Sequence, residues 1–188
     1  MFHVEQILSN EIVDLLLKGE LHPRGIAGRL DTNHMTVIRT LNRLADENVV
    51  DFRTVGKNKI YFLKRTLEGR NSVMMTEYYK LSKAVGHYPV LRGIVLAVRG
   101  IHEVPLAVLF GSYAKGTAKP DSDIDLFIQS RDRGLKKDLE ARNSRLSVKL
   151  GDIDVSNLLI REIVKDHVIL KGVERFYGRT GFFEKAQP

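Results

Sequence analysis

The chain has 188 residues, of which 43% are hydrophobic and 28% charged, a globular composition with length for one large or two small cores. No run approaches the roughly 18–20 apolar residues of a membrane span, and the opening MFHVEQILSNEIVDLLL carries acids where a secretory leader needs a basic region, so a cytoplasmic protein without membrane contact is expected. The absence of cysteine excludes disulfides and thiolate metal sites, while a net charge of +7 and a pI near 9.6 point to an anionic partner such as nucleic acid or nucleotide phosphates.

In chain order, Val4, Ile7, Leu8, Ile12, Leu15 and Leu16 form an apolar stripe at helical spacing that ends near Gly19. After His22 and Pro23 comes a short helix, RGIAGRL, then the break DTN, then HMTVIRTLNRLADEN, in which Val37, Leu41 and Leu44 share one face. Two helices joined by about three residues make a helix-turn-helix. The β-rich runs VVDFRTV and KIYFL follow, separated by the turn signal GKN.

Residues 1–65 resemble a winged helix-turn-helix domain of the kind found in bacterial and archaeal transcription regulators. The resemblance implies DNA binding through the second helix, with Asn33, His34, Thr36, Arg39, Thr40 and Arg43 on its outer face or leading end once Val37, Leu41 and Leu44 are buried. Arg53, Lys57 and Lys59 on the wing would track the backbone. Ten Lys and Arg against eight Asp and Glu in residues 1–65 leave a small surplus for phosphate-driven binding. A homodimer is the default, because palindromic DNA sites demand two-fold symmetry.

Residues 66–85 read as a polar linker helix, and the punctuation GHYP sets the second boundary near Gly86, so that residues 86–188 form the second domain. There VLRGIVLAVRG reads as an apolar helix leading into the strand VPLAVLF. That strand ends in Gly111-Ser112, a small pair before the helical turn YAKG, where backbone N–H groups and a hydroxyl can meet a phosphate. The loop TAKPDS returns to DIDLFI, where Asp123 and Asp125 at i and i+2 share one face with Cα atoms about 6.5–7 Å apart. Two ionised carboxylates so close repel, and a divalent cation between them resolves the conflict; hard oxygen ligands suit Mg²⁺.

Gly-Ser, ten residues, then Asp-X-Asp followed by apolar residues resembles the signature of the polymerase-β-like nucleotidyltransferase superfamily, and in spacing its minimal members, which include the antitoxin halves of toxin–antitoxin modules. The fold this implies is a mixed α/β (α+β) domain, a small mixed sheet flanked by helices. The resemblance implies a third carboxylate on a neighbouring strand, and KLGDIDVSNLLI offers Asp152 and Asp154. Alternation places both on one face; Asp154, between Ile153 and Val155, is the one favoured.

The chemistry implied is nucleotidyl transfer. Gly111 and Ser112 would bind the phosphates of an NTP, with ATP the expected donor. Asp123, Asp125 and Asp154 would hold two Mg²⁺ ions, one of them activating an acceptor hydroxyl for attack on the α-phosphorus. An acceptor protein such as a toxin-like partner is the first expectation, with the winged helix autoregulating its operon. The alternative is a regulator whose nucleotidyltransferase-like domain senses nucleotide without transfer.

Overall fold

A computed structural model describes residues 2–184, with side chains from residue 5 onward. The Val4 side chain and the last four residues of the expected second domain lie outside the described residues. The described chain divides into two compact units, one ending at Thr76 and the other running from Glu77 to Glu184.

The first unit contains α1 (Phe2–Lys18), α2 (Pro23–Arg29), α3 (His34–Asp46), β1 (Val50–Val55), β2 (Asn58–Leu63) and the beginning of α4 (Leu67–His87). Helix starts are set by side chains that satisfy otherwise orphaned N–H groups. Before α2, His22 Nδ1 accepts from Gly25 N at 2.9 Å, with Pro23 at the first helical position. Before α3, Asn33 Oδ1 accepts from Met35 N at 2.8 Å. Ile12, Val13 and Leu16 of α1, Ile26 of α2 and Val37, Leu41 and Leu44 of α3 are buried, as are Val50, Tyr61 and Leu63 of the hairpin; each such aliphatic side chain contributes roughly 1.5–3 kcal/mol. Ile7, Leu8 and Leu15 are half-buried. The strands pair antiparallel from Val50↔Leu63 to Val55↔Asn58. Gly56, at φ +60°, opens the two-residue turn, a conformation that matches strand twist and that glycine adopts without strain. Leu21 bridges to Tyr61 and ties the α1–α2 connection to the hairpin.

The second unit contains the rest of α4, then α5 (Leu91–Arg99), β3 (Ala107–Phe110), α6 (Gly111–Lys115), β4 (Ile124–Gln129), α7 (Arg133–Arg142), β5 (Leu146–Gly151), α8 (Leu158–Lys165), β6 (Val168–Lys171) and α9 (Val173–Thr180). Its four-stranded sheet has the order β5-β4-β3-β6. Strand β3 runs antiparallel to β4 and β6, and β4 parallel to β5, so the sheet is mixed. Alternation along β4 divides its side chains between the faces. Ile124, Leu126 and Ile128 join a core with Leu91, Ile94 and Val98 of α5 and Leu139 of α7. Asp125, Phe127 and Gln129 point the other way, where Phe127 is buried and Arg175 of α9 donates to Gln129 Oε1 at 2.5 Å. This is the mixed α/β architecture, a small mixed sheet with flanking helices, that the resemblance implies.

Candidate functional site

The site is built where β3 gives way to α6. Gly111 has φ +70°, and a Cβ there would collide with the Asp125 carboxylate, so this position requires glycine on conformational and steric grounds. Gly116, at φ +72°, ends α6. The loop from Thr117 to Ser122 is held from several sides. Thr117 N donates to Ser112 O at 3.0 Å, Ala118 N to the Tyr88 hydroxyl at 3.2 Å and Lys119 N to Ser122 Oγ at 2.8 Å. Arg145 Nη1 donates to Pro120 O at 2.6 Å. Asp123, which this loop delivers to the start of β4, is exposed; Asp125 is half-buried.

On β4, Asp125 stands between Phe110 of β3 and Ser147 of β5 in the sheet register. Burial pushes its carboxyl up, and the like charge of Asp123 adds to that; the Lys149 charge and a hydrogen bond with Ser147 oppose it. A carboxylate strained by desolvation and a like charge is what a cation relieves. The donors are oxygens, which fits Mg²⁺ with water and phosphate oxygens completing its shell. The sequence-derived residues Gly111, Ser112, Asp123 and Asp125 are therefore brought together.

Asp154 and Asp152 are not brought to them. Strand β5 ends at Gly151, opposite Gln129, four residues along β4 from Asp125, or about 13 Å at the usual rise. Asp152 Oδ1 accepts from Gln129 Nε2 at 2.5 Å and from Ile153 N at 2.8 Å. Those bonds, the backbone one foremost, hold its carboxyl low. Asp154 Oδ1 accepts from the Ser156 hydroxyl at 2.7 Å and from Ser156 N at 2.9 Å, which lower its carboxyl in the same way. Both acids are exposed turn-formers beyond the strand's end. Beside Asp125 the register instead sets Ser147 and, two pairs further along opposite Phe127, Lys149, two residues that no motif in the sequence marks. Among the described residues no group of three or more His, Cys, Asp or Glu side chains is placed to hold a metal. The carboxylate expected third is thus not among the neighbours of Asp125, whose surroundings on β5 are a hydroxyl and an ammonium group.

In the first unit, the residues assigned to DNA separate into three groups. Asn33 is committed through its side-chain oxygen to capping α3, and Arg39 is exposed, with Nη2 3.4 Å from Thr36 Oγ1. His34, Lys57 and Lys59 line a cleft of about 450 Å³ with Arg24 and Asn42, and Lys59 Nζ lies 3.8 Å from the Phe52 ring centroid. Thr40 does not face outward: it is buried, and its hydroxyl donates to Thr36 O at 3.0 Å. Arg43 is held within the unit, pairing with Glu47 Oε1 at 2.8 Å and donating to Ser9 Oγ at 2.5 Å. On β1, Arg53 pairs with Glu20 at 2.6 Å.

No curated protein and no solved structure matches the chain. Residues 96–179 match the family model described as Polymerase beta, Nucleotidyltransferase, so the segment carrying the mixed sheet, Gly111-Ser112 and the Asp123–Asp125 pair is similar to the nucleotidyltransferase domains of that family.

Proposed function

We propose that the chain is a nucleotide-responsive DNA-binding regulator. Residues 1–65 act as a winged helix-turn-helix whose cleft and exposed α3 surface contact DNA, and the second unit binds an NTP, with ATP the first candidate, together with Mg²⁺ on Asp123 and Asp125. Gly111 and Ser112 meet the phosphates. The observation that carries the regulatory reading is the β4–β5 register, which puts Ser147 opposite Asp125 and Lys149 two residues further along the same face, where its charge acts on Asp125. Mg²⁺ bound there neutralises the carboxylates and orients the phosphates. Among the described residues no third carboxylate stands beside Asp125 to help activate an acceptor hydroxyl, and on this reading the nucleotide is held rather than transferred.

Transfer of an NMP to a protein acceptor, such as a toxin-like partner, is the second reading, and the family match over residues 96–179 supports it. One set of measurements separates the two. Mg²⁺-ATP is expected to raise the melting temperature of the wild type, not of Asp123→Asn/Asp125→Asn, and to change affinity for the upstream operator. Incubation with labelled NTPs and cell lysate is expected to label no acceptor. A labelled protein or small molecule that depends on Asp125 would establish transfer instead, and equal ATP binding by wild type and double variant would remove the site.

A further inference from the structure

Lys149 lies on β5, the strand at one edge of the sheet, and is exposed. Its charge acts on Asp125, yet its ammonium group makes no hydrogen bond among the described residues. It sits two pairs along the β4–β5 ladder from Asp125 and Ser147, opposite Phe127, and alternation puts it on their face. The cation therefore acts on Asp125 and is free to engage a further anion.

We infer that Lys149 replaces a second metal ion: the Asp123–Asp125 face takes one divalent cation, and the Lys149 ammonium contacts the triphosphate from the β5 side. This rests on the nucleotide reading given above and defines its metal count. The charge balance supports it. Three carboxylates with two divalent cations would present one net positive charge to a triphosphate; two carboxylates, one divalent cation and one ammonium group present the same. Triphosphate attraction is retained, while the chemistry changes. An ammonium group donates hydrogen bonds to phosphate oxygens, but it does not coordinate an acceptor oxygen and lower its pKa as a metal does. Lys149 in place of the second ion thus keeps the affinity of a two-metal site and removes its acceptor activation.

The test counts ions. Mn²⁺ is titrated into the full chain at saturating α,β-methylene-ATP, with free Mn²⁺ read by electron paramagnetic resonance. The wild type is expected to bind one Mn²⁺ per chain, and Lys149→Glu, which supplies a third carboxylate, two. Lys149→Gln is expected to weaken binding of the Mn²⁺-bound analogue by at least about tenfold, the scale of a lost charge-assisted hydrogen bond, while AMP binding changes little and Lys149→Arg restores most of the loss. Lys149 is exposed, so these variants should retain the wild-type circular dichroism spectrum. Two ions in the wild type, or equal analogue affinity in wild type and Lys149→Gln, would overturn the inference and leave the nucleotide reading standing. No binding of the Mn²⁺-bound analogue by the wild type would overturn both.

Discussion

The Tyr177 hydroxyl donates to Glu77 Oε1 at 2.7 Å, joining α9 to α4 across 100 residues of chain. Glu77 is fully buried. The same oxygen also accepts from Lys80 Nζ at 2.9 Å and faces His167 Nε2 at 3.3 Å, while Oε2 has no hydrogen-bond partner. His167 Nδ1 lies 2.9 Å from Ile163 O. Both ring nitrogens thus face oxygen atoms. A buried carboxylate is tolerated here because three donors converge on it.

Acid should expose this network. Burial by itself would raise the Glu77 carboxyl, but the His167 hydrogen bond, the charges of Lys80 and His167 and the Tyr177 hydroxyl bring it down from 4.5 to about 2. Because the folded-state value is the lower one, the stabilisation is fully present above the unfolded value of 4.5 and is lost as pH falls toward 2. Urea unfolding at steps between pH 5 and about pH 2 should show a progressive loss that is much smaller in Glu77→Gln. Parallel losses in the two proteins would assign the acid sensitivity to other carboxylates.

The two ends of the network should differ in cost. Tyr177→Phe removes one donor and is expected to cost about 1–3 kcal/mol. Glu77→Ala leaves the facing donors without their acceptor and is expected to cost about 3–5 kcal/mol. Both are read from urea midpoints at pH 7, and a cost for Glu77→Ala below that for Tyr177→Phe would refute this account of the network.

Gly111 and Gly116 form a matched pair for testing the close approach of Asp125. Both have positive φ, but a Cβ at Gly111 meets the Asp125 carboxylate whereas one at Gly116 meets nothing within 4 Å. Gly116→Ala should show only the backbone cost of about 1 kcal/mol, or a melting temperature lower by roughly 2–4 °C. Gly111→Ala should lose more than that and should also lose the thermal shift produced by Mg²⁺-ATP. Retention of the full shift in Gly111→Ala would show that the site tolerates a displaced Asp125.

Two arginines of α3 should behave differently. Arg39 is exposed, so Arg39→Ala is expected to weaken operator binding with a shallower salt dependence and to leave stability within about 0.5 kcal/mol of wild type. Arg43 bonds to Ser9 and Glu47, so Arg43→Ala is expected to lower stability by about 1 kcal/mol. Filter binding and urea melts on the two variants read both quantities, and an unchanged operator affinity in Arg39→Ala would move the DNA contact off this surface.

The elements around the site were readable because each follows from a local rule. Glycine and proline punctuation marked the turns, and the Asp-X-Asp spacing placed both acids on one face of β4. Which residue stands beside Asp125 is a matter of register between β4 and β5, which no local rule fixes. The apolar Leu146, Val148 and Leu150 alternate with Ser147 and Lys149, so a strand ending at Gly151 was present in the pattern. The apolar neighbours of Asp154 gave a competing strand three residues further on. Turn chemistry decided between them: Asp154 bonds Ser156, closing a turn where a strand would have continued. Thr40 was misassigned for a related reason, since its hydroxyl can satisfy itself on Thr36 O inside the helix and so be buried despite its polarity.

Helix α4 runs unbroken from Leu67 to His87, and the division between the two compact units falls inside it, between Thr76 and Glu77. Its early residues serve the first unit, where Glu68 accepts from Asn48 Nδ2 at 2.9 Å; its later ones supply Glu77 and Lys80 to the second. A fragment beginning at Gly86, where the punctuation of the sequence invites a cut, would carry Tyr177 and His167 but not the carboxylate they surround. Expressed alone, such a fragment should be insoluble or lack cooperative unfolding, whereas one beginning at Leu67 keeps the whole network. Isolating the second unit therefore means taking the connecting helix with it.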